Sequence, residues 1–227
     1  MKVIKNLTLV LAIVLCGACS NDDNITSQPT LTIEDDRNAL IEIYNANSNN
    51  TLTWDIETTD VSTWQGITVE NNRVAVLSIG NKNISVFSIT AMQKLTALRT
   101  LVANDNSITS IDVSNNANLK KLSLFNNQIT TIDVSNNILL EQLLLENNSL
   151  EGLDVSMLSN LTDLKGGSNN FTNSVNIANG NNSNMWRMQL AGGSLSCVQV
   201  DSGATNGLVG WSISSSASYS LNCQQQI

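Results

Sequence analysis

From residue 98 onward, apolar and polar positions recur with a fixed period. Leu98, Leu119, Leu140 and Leu161 stand 21 residues apart, and each opens the pattern LxxLxLxxNxL, complete in LKKLSLFNNQI from Leu119 to Ile129. The segments DNSITSIDVSNN (105–116), NNQITTIDVSNN (126–137) and NNSLEGLDVS (147–156) are near copies of one another. Self-similarity at a fixed period marks an architecture in which one supersecondary unit stacks on copies of itself. Within each unit Leu101 and Ala103, Leu122 and Leu124, and Leu143 and Leu145 alternate with outward residues. That alternation predicts a short strand with one buried face. Ile108, Ile129, Leu150 and Phe171, then Ile111, Ile132 and Leu153, return apolar side chains to the interior. Stacking of the units then requires Leu101, Leu122, Leu143 and Leu164 to form one interior row.

Asn106, Asn127, Asn148 and Asn169 keep a single register behind these strands. An amide side chain both donates and accepts, so a column of asparagines can satisfy the backbone groups freed where the chain turns out of each strand. The pattern extends in longer units. VAVLSIGNKNI (Val74 to Ile84) precedes the next strand by 24 residues and MWRMQLAGGSL (Met185 to Leu195) follows the last by 24, with Lys82 and Gly193 in the Asn place. Terminal units of a stack are expected to be atypical. Upstream, DDRNALIEIYNAN sets Leu40, Ile43 and Tyr44 at helical spacing behind a capping Asp, which predicts a short amphipathic helix from residue 35.

With six such units, the chain resembles the leucine-rich repeat family, in a short 21-residue variety common in bacterial surface proteins. The resemblance implies an α/β repeat solenoid: a horseshoe with a parallel sheet on its concave face and a short irregular convex side. The repeats cover residues 74–195. Residues 35–73, with Trp54, Trp64 and Gly66, resemble the N-terminal cap of plant-type relatives. Thr63 and Val69 stand near the places of the cysteines that often flank the second Trp, so this cap is expected to hold by packing alone. Residues 196–227 resemble a bacterial C-terminal cap, in which two cysteines are bridged and a Trp covers the last repeat.

The first residues, MKVIKNLTLVLAIVLCGACSNDDN, place Lys2 and Lys5 before an apolar run from Leu7 to Leu15. This is the form of a secretory signal, too short and wrongly flanked for a spanning helix. LCGAC resembles a bacterial lipobox, which implies removal of residues 1–18 and lipidation (palmitate) of Cys19; Cys16 departs from the larger apolar residue usual at its place. The alternative is ordinary cleavage after Ala18, which leaves a secreted protein. SNDD after Cys19 resembles a surface-export signal of one group of Gram-negative bacteria. Residues 19–34, with Pro29 as the only proline, read as a flexible tether. Cys197 and Cys223 then remain as a pair in an exported chain, where an oxidising compartment favours a disulfide over two buried thiols. The cap resemblance implies the same pairing.

Composition removes several function classes. The 227 residues include 19 acidic and 11 basic side chains, a formal net charge of -8, without a basic cluster, so nucleic acid is not an expected partner. The chain has no His, which removes the usual general base and the Ser-His and Cys-His pairs. No nucleophile elbow, phosphate loop or metal-ligand spacing occurs, and no enzyme activity, cofactor or metal is expected.

Recognition is therefore the expected function, with a protein or a glycan as partner and the membrane touched through the lipid anchor alone. On the concave face, Val102, Phe125 and Leu144 come from successive strands and are expected to lie together, rimmed by Lys121, Glu146 and Lys165. An exposed apolar cluster with a charged rim has the composition of a protein-binding hot spot. The convex column Asp112, Asp133 and Asp154, each two residues before Ser114, Ser135 or Ser156, could offer oxygen ligands to calcium. Local bonds to backbone amides are the favoured reading of that column. The expectation is a protein-binding or adhesion module displayed from a Gram-negative outer membrane. Alternatives are a periplasm-facing structural or accessory subunit of an outer-membrane assembly, or a glycan-binding protein.

Overall fold

The computed structural model describes residues 30–172, 174–205 and 208–223. Cys19, the signal and most of the tether lie outside the described residues. Helix α1 (Ile33–Ala46) begins two residues before its expected start, because its N-cap is Thr32 and not an Asp. The Thr32 hydroxyl accepts from the Asp35 amide at 3.4 Å, while the Asp35 carboxylate accepts from the Thr32 amide at 2.7 Å. This reciprocal pair satisfies two amides that the first helical turn leaves free. The Thr32 amide, and then its hydroxyl donating at 2.9 Å, hold the Asp35 carboxyl below its ordinary value.

Asp36 has a different task. It is fully buried and accepts from Arg73 Nε at 2.9 Å, Arg73 Nη2 at 2.7 Å and the Val74 amide at 2.7 Å. The ion pair ties α1 to strand β2 (Arg73–Ser78), which forms an antiparallel hairpin with β1 (Ile67–Glu70). Packing is thus not the only force in this cap, as the missing cysteines suggested. It is present nonetheless: Ala39, Leu40 and Ile43 are fully buried, and Tyr44, Trp54 and Trp64 stack with centroids 6.4 and 5.1 Å apart. Buried Asn47 closes the helix end, accepting from the Ser85 and Val86 amides at 2.7 and 3.0 Å. A short helix α2 (Ile89–Lys94) packs beside α1.

The solenoid follows. Strands β3 (Thr100–Val102), β4 (Lys121–Ser123) and β5 (Gln142–Leu144) pair in parallel onto β2, one per coil. After β6 (Leu153–Asp154) on the opposite side, β7 (Asp163–Lys165) continues the concave sheet. Leu101, Leu122, Leu143 and Leu164 are paired in register and fully buried, the single interior row the repeat demands. Burial of each contributes about 1.5–3 kcal/mol. The row is the axis of a core that runs unbroken from α1 to Ala204.

The C-terminal third departs from the expected plan. Strands β8 (Ser174–Asn176), β9 (Arg187–Leu190), β10 (Cys197–Gln199), β11 (Trp211–Ile213) and β12 (Ser218–Ser220) alternate between two sheets. The concave sheet has eight strands, β1-β2-β3-β4-β5-β7-β9-β11. Along the convex side, β6, β8, β10 and β12 form a second parallel sheet in which Leu153, Val175, Val198 and Tyr219 stand in one row. The convex side is therefore irregular only in the earlier coils. There, Ile111 and Ile132 hold the corresponding places without pairing into a strand. Residues 196–223 are accordingly more than a lid, since both sheets run through them. Cys197 and Cys223 are bonded, with Cα atoms 5.7 Å apart, closing β12 onto β10. Trp211 covers the last coil, its ring 5.8 Å from that of Tyr219 and its indole N–H donating to the Met185 carbonyl at 3.2 Å.

Candidate functional site: the concave sheet and its asparagine spine

The concave sheet is held rigid from behind by asparagine side chains. Asn127 accepts from the Ile108 amide at 3.0 Å and donates to the Ala103 and Leu124 carbonyls at 3.0 and 2.9 Å. Asn148 and Asn169 repeat this: they accept from the Ile129 and Leu150 amides and donate to Leu124 and Leu145, and to Leu145 and Gly166, all at 2.9–3.1 Å. Asn106 starts the column, accepting from both Lys82 and Ile84 amides. Gly193 ends it. Its φ is +64°, and a Cβ there would lie 2.7 Å from the Phe171 carbonyl oxygen, so the backbone itself fills the Asn place.

A second column escaped the sequence reading. The residue before each ladder Asn adopts left-handed backbone: Asp105, Asn126, Asn147 and Ser168 have φ between 52° and 56°. Asn147 donates to Asn126, and Asn126 to Asp105, each at 2.6 Å across one coil. The signal was the recurring DN, NN, NN, SN pair, since Asn and Asp tolerate that conformation best among residues other than Gly. Buried Asn116 and Asn137 form a third, short column on the convex side, donating to carbonyls of the coil before.

Along the concave face the register puts Val102 and Leu144 on either side of Ser123. Phe125 follows two residues on, and period two keeps it on the same face. The three apolar side chains are half-buried, not fully exposed, and Ser123 between Val102 and Leu144 is 2% accessible. The strongly exposed large apolar side chains lie elsewhere: Trp186 at 55% and Val209 at 98% stand beside the strands, and Met157 on the convex turn.

Charges divide the face in two. Toward the C-terminus, Glu146 pairs with Lys165 at 3.3 Å, and nearly buried Asp163 takes a bidentate pair from Arg187, whose Nε lies 2.7 Å from Oδ1. The Asp163 bonds push the Arg187 guanidinium above its ordinary pKa. Its Cζ sits 4.3 Å from the Trp186 ring centroid. Glu146 Oε2 is buried and meets no hydrogen-bond partner among the described residues. Toward the N-terminus, Lys82 and Lys121 take part in no ion pair among the described residues.

The convex aspartates are engaged locally. Asp112, Asp133 and Asp154 each accept from the amide two residues on, Ser114, Ser135 and Ser156, at 2.8–2.9 Å. Bonds from Ser114, hydroxyl first, and from Ser135, amide first, hold the Asp112 and Asp133 carboxyls below their ordinary value. Among the described residues, no group of three or more His, Cys, Asp or Glu side chains is placed to hold a metal ion. Among them, too, no helix is long and apolar enough to cross a membrane.

Residues 96–137 match the family model described as Leucine Rich repeats (2 copies). Comparison with curated proteins returns no match. Among solved structures, the ectodomain of the receptor kinase SOBIR1 from Arabidopsis thaliana is 18% identical with a TM-score of 0.59, covering 74% of this chain and 97% of its own. The BIR2 ectodomain from the same plant is 20% identical with a TM-score of 0.55, covering 62% of this chain and 83% of its own. The BIR3 - SERK2 complex of Arabidopsis thaliana matches at 19% identity and a TM-score of 0.50, over 60% and 83% of the two chains. At such identities the likeness is one of fold. Repeat period, asparagine spine, curved parallel sheet and matching folds lead to one conclusion: this chain carries a leucine-rich repeat solenoid, closed at its C-terminal end by the Cys197–Cys223 disulfide.

Proposed function

We propose that the chain is a non-catalytic recognition module whose concave sheet holds another protein, with Val102, Phe125 and Leu144 at the centre of contact and Lys121, Glu146 and Lys165 at its rim. One observation carries the reading: Val102 and Leu144 flank Ser123 on three register-paired strands, and with Phe125 they leave apolar surface partly exposed in the middle of the concave sheet. A partner's apolar surface would cover this cluster while its polar groups meet the charged rim, the division of labour usual at a hot spot. The BIR3 - SERK2 assembly is a complex formed by a protein of similar fold, which supports a protein as the partner. Capture of partners from native extract by wild type and Phe125→Ser, with folding checked by circular dichroism, tests the reading. Unchanged capture by the folded variant refutes it.

The chain is further read as exported and anchored to the outer membrane of a Gram-negative bacterium through lipidated Cys19, facing the cell exterior. Cys19→Ala then moves the protein to the soluble fraction, and protease applied to whole cells removes the intact form. Survival of the intact form would favour the periplasm-facing accessory subunit. The half-exposed Trp186 ring, with Arg187 beside it, is the feature that favours a glycan ligand. Retention on a polysaccharide panel that is lost in Trp186→Ala would select that alternative.

A further inference from the structure

Resting on the concave reading above, we infer that the N-terminal end of the sheet is a seat for an extended, acidic peptide segment of the partner, with Lys82 as the residue that meets its carboxylate. The seat is a notch of about 500 Å³ lined by Gln65, Gly66, Ser78, Gly80, Lys82 and Asn104, with Val102 on its inner side.

Two glycines, Gly66 and Gly80, keep its floor low. The hairpin partner of β2 pairs only as far as Gly66, whose carbonyl accepts from the Ser78 amide at 2.8 Å, so Gly80 lies beyond the last paired residue of β1. Gly66 has φ +85°, and a Cβ there would lie 2.0 Å from the Ser78 carbonyl oxygen. A Cβ on Gly80 would lie 3.1 Å from the Asn104 side chain. Where the next coils carry Asn104, Phe125 and Glu146, the first coil carries only Gly80, over which the Asn104 side chain leans.

Lys82 occupies the notch because of its place in the repeat. Each ladder Asn donates to carbonyls of the coil before it, and the first coil has no such coil. An inward amide there would keep only the acceptor of its own coil, and an inward ammonium would be buried unpaired at high cost. Lys82 therefore lends only its backbone to the ladder, donating to Asn106 Oδ1 at 3.0 Å, and its partly exposed side chain lines the notch.

Lys82 makes no ion pair among the described residues. Asp105, in the next coil, accepts from neutral amides and not from an ammonium: Oδ1 from Asn126 at 2.6 Å and Oδ2 from Asn104. Lys121, across the same half of the face, is also without an ion pair among the described residues. In a chain of net charge -8, this half-face of two free ammonium groups around Val102 favours a ligand with carboxylates flanking an apolar side chain.

A random hexapeptide library, selected on the full chain and on its Lys82→Gln and Phe125→Ser variants, tests the inference. Wild type is expected to enrich sequences with Asp or Glu next to an apolar residue. Lys82→Gln should weaken those peptides about tenfold, the loss expected of one charge-assisted bond, and raised salt should narrow the difference. Phe125→Ser should weaken acidic and neutral peptides alike. Selection without acidic enrichment, acidic binding that survives Lys82→Gln, or no selection at all overturns the inference. The concave reading is decided separately, by capture of the native partner with Phe125→Ser.

Discussion

Replacing Asn148 by Leu removes one rung of the spine at nearly constant volume, and the cost can be worked bond by bond. Asn148 is 7% exposed. The Ile129 amide donates to its Oδ1 at 2.9 Å, and in Asn148→Leu that buried N–H loses its partner outright. The Leu124 and Leu145 carbonyls lose the Asn148 amide but each keeps another, from Asn127 and Asn169 at 2.9 Å. An orphaned buried N–H costs about 1–3 kcal/mol and each weakened carbonyl about 0.5–1, together about 2–5 kcal/mol. Against a total stability of about 5–15 kcal/mol this is large, and it lowers Tm by about 5–15 °C for a chain of this size. Urea and thermal unfolding followed by circular dichroism measure it. Asn136→Ala is the control: that exposed side chain makes one bond of 3.4 Å to the Ser114 carbonyl, and the change should stay within about 0.5 kcal/mol. If Asn148→Leu falls within about 1 kcal/mol of wild type, the spine does not hold the coils together in the way described.

Three further outcomes are expected. Replacing both Cys197 and Cys223 by Ser opens a loop of sequence separation 26, worth about 3–4 kcal/mol in the chain-entropy account; hydrogen exchange should quicken in β10 to β12 and stay unchanged in β3 to β5, and uniform quickening would argue against a local closure. Gly66→Ala should cost at least about 2 kcal/mol, since it adds both a steric clash and an unfavourable φ; near-neutral stability would mean that the hairpin end is not fixed as described. Asp35, Glu42, Asp112 and Asp133 all have carboxyls held below their ordinary values by hydrogen bonds, for Glu42 from Ser88 and then Thr90. A lowered folded pKa contributes stability that is complete above the unfolded value, 3.8 for Asp and 4.5 for Glu, and is lost as pH falls through the folded one. Tm should thus fall on acidification below about pH 4, and a Tm that rises there would contradict the sign.

Much of this molecule was determined by its sequence alone. A fixed period of 21 residues with alternating leucines leaves one way to bury every Leu: stack the coils and align Leu101, Leu122, Leu143 and Leu164. The asparagine register follows from the same logic, because freed backbone groups must be satisfied in every coil. Other features depended on partners distant in the chain. Asp36 gave no local sign that Arg73, 37 residues on, would claim it and leave the cap to Thr32. The convex sheet was hidden because β6, β8, β10 and β12, with LD, SVN, CVQ and SYS, do not repeat one another in sequence, and they exist through pairing alone. On the concave face, sequence named the residues that point outward. Tertiary structure decided what they could do, since paired and unpaired charges differ only by which neighbour lies within reach: Lys165 and Arg187 found carboxylates, and Lys82 and Lys121 found none among the described residues.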